Sequence, residues 1–221
     1  MDRVNGQLGV SRGFGDFEYK NIEGKDPKHQ LVTSEPDVYI KERQTEIDEF
    51  VVLACDGVWD VMTNDEIVSF ISSRMRVTND LEAISNEVLD TCLHKGSRDN
   101  MSIIIIAFPA APKVEQEAIN KDHVLNTLLE QKVRNIVKEK CSKITALENG
   151  ALDFDEIFQM ISEEDLPDLP PGGGLHAKKQ RMIEIFESLE AKKTYDNSST
   201  IQAPSNNISE TTNISNFLNN V

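Results

Sequence analysis

Apolar residues form short unbroken runs in the first half of the chain and helix-spaced stripes in the second. Glu49–Cys55 is a β-branched and aromatic run ending at Asp56-Gly57, which predicts a buried strand followed by a turn. Met101–Phe108 predicts a second buried strand, stopped by Pro109. In Asp37–Glu42, Val38 and Ile40 alternate with polar neighbours, the pattern of a half-exposed strand. Two helical patterns lie between the buried runs. The first has Asn64 as its predicted cap and carries Ile67, Phe70 and Ile71 at helical spacing. The second starts from a cap at Asp80 and places Leu81, Ile84, Val88 and Leu89 on one face. It ends at Lys95-Gly96, a basic last turn followed by a glycine stop. Strand, helix, helix, strand in that order favours the α+β class, with helices layered on a sheet.

Pro109-Ala-Ala-Pro112 reads as a linker into a helical, charged zone. Helices are predicted over 114–141, with apolar positions Val124, Leu128, Val133, Ile136 and Val137, and over 153–162, capped near Asp153. A third, over 175–193, carries Met182, Ile185, Phe186 and Leu189. Leu166–Gly174, rich in proline and glycine, breaks the pattern before it. Residues 194–221 are rich in Asn, Ser and Thr and predict a disordered tail. The expected organisation is an α+β part over 1–109, a small α-helical domain over 110–193 and the tail over 194–221.

Charge narrows the partners. Lys and Arg total 23 against 38 Asp and Glu, a formal charge of -15, which argues against a nucleic-acid binder. Cys55, Cys92 and Cys141 are far apart and odd in number, so neither a disulfide framework nor a zinc site is expected. A reducing compartment follows, the cytoplasm, the nucleus or both, and a monomer is expected there. No signal peptide is visible, and the longest apolar runs are too short to span a bilayer.

Asp56 follows one buried run and Asp99 precedes the other, so if the two strands are neighbours both carboxylates reach one rim of the sheet. Converging carboxylates are costly unless one protonates or a cation sits between them. Oxygen ligands of this kind suit a hard ion such as Mg²⁺ or Mn²⁺. On spacing alone this is weak evidence: an aspartate in an Asp-Gly pair is ordinarily a plain turn residue, and a simple loop explains Asp99-Asn100.

Longer strings weigh further. Val4–Asp16, with its Ser11-Arg-Gly-Phe-Gly-Asp16 ending, resembles a motif of the PPM family, the metal-dependent (type 2C) protein serine/threonine phosphatases. Ser34-Glu-Pro-Asp37 resembles that family's Glu-Pro turn, Leu53–Asp60 its most recognisable C-terminal motif, and Lys95–Ser102 its last metal motif. The helical zone, with its Leu-Pro-Pro-Gly-Gly stretch, resembles the extension of animal alpha/beta-type members. The resemblance covers residues 3–193 and implies the C-terminal part of an α-β-β-α sandwich followed by a small α-helical domain. It implies hydrolysis of phosphoserine and phosphothreonine in phosphoprotein substrates by a metal-bound water, with two Mg²⁺ or Mn²⁺ ions in the complete domain. Asp56 and Asp99 match metal ligands, while Asp60 and Asn100 match supporting positions around them. Arg12 and Asp16 match positions that tie strand end to loop.

The departure from the family is large. The Asp-Gly-His motif, the other N-terminal metal ligands and the phosphate-holding arginine have no counterpart in this sequence. The expectation is a fragment beginning inside the domain, poorly folded and inactive by itself. No catalytic residue is assigned, since His29, His94, His123 and His176 are scattered and read as surface residues. The competing reading is a catalytically inactive truncated product acting as a protein-binding module. A calcium-binding loop is not supported, because no Asp-x-Asp/Asn-x-Asp/Asn-Gly string is present.

Overall fold

The computed structural model describes residues 3–144 and 153–199, in two units, Met1–Gln44 and Thr45–Val221. Of the disordered tail expected over 194–221, residues 194–199 instead continue a helix, and the rest lies outside the described residues. The class is α+β.

The first unit is built of turns. Val4 bridges Leu8 and Arg12 bridges Thr33, and two short 3-10 turns cover Phe17–Tyr19 and Pro27–His29. Tyr19 and Val32 are its buried apolar side chains. Arg12 pairs with Asp37 at 2.9 Å. The strand predicted over Asp37–Glu42 does not form, and Val38, Tyr39 and Ile40 stand exposed. Alternation shows which face a strand would bury, but among the described residues no neighbouring strand supplies the ladder.

The second unit holds β1 (Phe50–Ala54), α1 (Asp56–Trp59), α2 (Asn64–Met75), α3 (Leu81–His94), β2 (Ile103–Ala107), α4 (Gln116–Ile144), α5 (Phe154–Ser162) and α6 (Lys179–Ser199). The two strands are antiparallel neighbours, with Phe50 opposite Ala107 and Ala54 opposite Ile103. Phe50, Val52, Ala54, Ile103 and Ile105 face a core built with Phe70, Ile71, Ile84 and Val88 of α2 and α3. Val51, Leu53, Ile104 and Ile106 point the other way and remain 41–59% exposed.

Thr63 rather than Asn64 caps α2. Its side chain accepts the Glu66 N–H, and the Glu66 carboxylate reaches back to the Thr63 N–H. That reciprocal pair satisfies two end groups at once, which a lone Asn64 does not match. Asp80 caps α3 as expected, accepting from the Ala83 N–H, and the helix ends at Lys95 before Gly96 at φ 101°.

A second core joins α4, α5 and α6 through Leu125, Leu129, Val133, Val137, Ile157, Ile161, Met182, Ile185 and Phe186. The α4 stripe is one residue out of phase with expectation at its start. Leu125 and Leu129 are buried, and Val124 is 61% exposed. Spacing by four from Val133 selects the leucines. A polar seam separates the two cores. Arg74 on α2 meets Glu87 on α3 at 2.5 Å and Asp122 on α4 at 2.6 Å, and Lys178 meets the same Asp122 oxygen at 2.7 Å. Arg74 and Lys178 are both buried.

Candidate metal centre

The antiparallel pairing brings the segments around Asp56 and Asp99 to one end of the β1–β2 ribbon. Asp56 opens α1 two residues beyond the end of β1, so the Asp-Gly pair begins a helical turn rather than a reverse turn. Asp99 lies in the loop between α3 and β2. Backbone contacts hold the two segments together. Cys55 N–H donates to the Ser102 carbonyl at 3.3 Å. The Cys55 thiol donates to the Asn100 carbonyl at 3.2 Å and accepts the Ser102 N–H at 3.2 Å. Buried Ser97 donates its hydroxyl to the Gly57 carbonyl at 2.7 Å.

Gly57 explains the closeness. A Cβ there would lie 2.4 Å from the Asn100 carbonyl oxygen. The glycine is therefore needed for the approach of two backbones, and its own φ is not in the left-handed region.

Each carboxylate is fixed at one oxygen. Asp56 Oδ1 accepts the Gly57 N–H at 3.0 Å, and Asp99 Oδ1 accepts the Asn100 N–H at 2.7 Å. Both side chains are exposed, and among the described residues neither pairs with a lysine or arginine. Asp60 caps the far end of α1, its N–H donating to the Asp56 carbonyl at 2.8 Å. Asn100 contributes through its backbone, with its carbonyl against Gly57 and Cys55. The Cys55 thiol is drawn below its ordinary value by hydrogen bonding from Ser102, against the opposing charge of Asp56.

Carboxylates held apart from any cation, each with an oxygen left over from its backbone bond, suit a hard divalent ion. Among the described residues no group of three or more His, Cys, Asp or Glu side chains is gathered to hold a metal. Sequence reasoning missed Ser97 and Cys55, whose contacts reach 40 and 45 residues along the chain and leave no local signal. It also read all four histidines as surface residues. His29 and His123 are exposed, but His94 and His176 are partly buried where α3 meets the 3-10 turn Gly174–Lys178. Burial pushes both imidazoles below their ordinary value.

Comparison with known proteins identifies the family. Residues 1–101 match the family profile of protein phosphatase 2C, and residues 102–187 match that of the protein serine/threonine phosphatase 2C C-terminal domain. Protein phosphatase 1A of Bos taurus is 47% identical over 200 residues, 90% of this chain and 50% of that protein. Protein phosphatase 1B is 47% identical over 196 residues in Mus musculus, covering 89% of this chain and 48% of the relative. In Homo sapiens, protein phosphatase 1B is 46% identical over 199 residues, covering 90% and 40%. The chain spans about half the length of the curated relatives it matches. Two adjoining profiles of one family over residues 1–187, and relatives alike over nine-tenths of the chain, place this protein in the protein phosphatase 2C (PPM) family.

Proposed function

We propose that the chain forms the C-terminal part of a metal-dependent protein serine/threonine phosphatase, with Asp56 and Asp99 as two of the ligands of a Mg²⁺ or Mn²⁺ centre. Asp60 and Asn100 support them. The observation that carries the reading is the seating of both aspartates on backbone segments locked together through Gly57 and Asn100. A divalent ion bound there supplies charge against phosphoryl oxygens and acidifies a water. This chain's own part is to present two oriented carboxylates. The Gly57 and Asn100 N–H groups fix one oxygen of each, so the other is offered without further reorganisation. Phosphoproteins are the substrates on this reading, and the protein acts as a monomer in the cytoplasm, the nucleus or both. The division expected from sequence is carried forward as 1–109, a helical domain from 110 that continues through α6 to Ser199, and the remainder, with the helical domain docked through the polar seam.

The test uses the chain alone and a chimera joining it to the N-terminal half of protein phosphatase 1A. Alone it is expected to show no turnover of p-nitrophenyl phosphate with Mn²⁺, while the Gly57 and Asn100 amide resonances broaden. The chimera is expected to hydrolyse a phosphopeptide. Asp56→Asn or Asp99→Asn should lower that rate by at least about 100-fold, the upper end of the loss seen when outer-sphere partners of a metal site are removed. Full activity of both variants would refute the ligand assignment. An inactive chimera with no broadening would favour the binding-module reading.

A further inference from the structure

We infer that Lys95 is a positioning residue, through which the proline- and glycine-rich loop of the helical domain holds the segment that carries Asp99 and closes on Gly57 beside Asp56. The inference rests on the metal-centre reading above and deepens it. Three segments meet at the Lys95 ammonium. It lies 2.7 Å from Glu66 Oε1 at the start of α2 and donates to the Gly172 carbonyl at 3.1 Å. Its own backbone ends α3, donating to the Thr91 carbonyl at 2.8 Å. The side chain is 18% exposed, so these bonds are partly shielded from water.

Both partners of Lys95 are themselves fixed. The second carboxylate oxygen of Glu66 accepts the Thr63 N–H at 2.8 Å and the Thr63 hydroxyl at 3.0 Å. Gly172 is pressed onto the backbone of that same Glu66. A Cβ at Gly172 would lie 2.1 Å from the Glu66 carbonyl oxygen, and its φ of 74° also excludes ordinary side chains. Loop, α2 start and α3 end therefore form one joint with the ammonium at its centre.

The metal segment leaves that joint directly. Two residues beyond Lys95, buried Ser97 ties its N–H to the Cys92 carbonyl at 3.0 Å and its hydroxyl to the Gly57 carbonyl at 2.7 Å. Asp99 and Asn100 follow, with the Asn100 carbonyl closed against Gly57. Lys95 touches neither carboxylate. It acts on them by fixing where the 97–100 segment starts, and the helical domain acts on the centre through Lys95.

Amide proton exchange on the full 221-residue chain tests this. The Gly57 and Asn100 amides report on the two carboxylates, since each donates to one of them. Lys95→Met should speed exchange at Gly57, Ser97 and Asn100 by about tenfold, the scale of a local opening, and leave the β1–β2 ladder amides unchanged. Lys95→Arg keeps the charge and several donors and should stay close to wild type. Gly172→Ala, a change in the helical domain, should reproduce the Lys95→Met pattern. Unchanged exchange at the three amides in Lys95→Met would overturn the inference, as would equal acceleration in the ladder, which marks general loosening. A parallel Mn²⁺ titration separates the two readings. If Mn²⁺ fails to broaden Gly57 and Asn100 in the wild-type chain, the metal assignment falls, and the exchange pattern still decides the role of Lys95.

Discussion

A methyl group at Gly57 would sit 2.4 Å from the Asn100 carbonyl oxygen, well inside van der Waals contact. Relief requires the α1 turn and the Asp99 segment to separate. Gly57→Ala is therefore expected to destabilise the fold by about 1–3 kcal/mol, the usual range for an added methylene in a tight site. The shift in the urea midpoint measures it, and Mn²⁺ broadening should weaken in the same variant. Glu66 carries a second expectation. Hydrogen bonding from Lys95, and then from Thr63, lowers its carboxyl from 4.5 to about 2. A depressed folded-state value means that the stabilisation is complete above the unfolded value and is lost as the pH falls through the folded one. The thermal midpoint should therefore drop between pH 4.5 and about 2, and Glu66→Gln should flatten that part of the profile.

Elements were legible where one local signal sufficed. The β-branched runs of β1 and β2 announced buried strands, and Asp80 and Gly96 marked the ends of α3. Reading failed where the answer lay elsewhere in the chain. Asp37–Glu42 has a strand's alternation, but among the described residues no strand runs beside it, and the phase of α4 is set by α5 and α6 as well as by its own residues. At the site the two aspartates were legible as residues, while the clamp around them was not. Lys95 meets Glu66 across 29 residues and Gly172 across 77, distances at which sequence carries no pairing signal. The polar seam was equally hidden. Arg74→Met removes the cation between Glu87 and Asp122 and should cost about 3–5 kcal/mol, as when one partner of a buried pair is lost. Combining it with Asp122→Asn should cost less than the sum of the two single changes, because they share one network. Urea unfolding of the four proteins completes that cycle.

At the scale of the molecule, two cores form within the described residues, while one face of the ribbon stays exposed among them. Val51, Leu53, Ile104 and Ile106 form a continuous apolar row across β1 and β2, which among the described residues make a two-stranded sheet with both outer edges open. The formal charge of -15 bears on what happens there. Like-charged copies repel, and at low ionic strength that repulsion reaches about 30 Å, well beyond the range of apolar contact. Near 1 M salt it shrinks to about 3 Å. The colloidal behaviour is then opposite to that of a protein precipitated by attraction between charges. Dilute buffer should keep the chain dispersed, and added sodium chloride should raise its light scattering in a concentration-dependent way. Leu53→Lys with Ile104→Glu, placed opposite each other on that face, should abolish the rise. The bare side of a five-residue ribbon thus makes ionic strength the variable that governs how this protein must be handled.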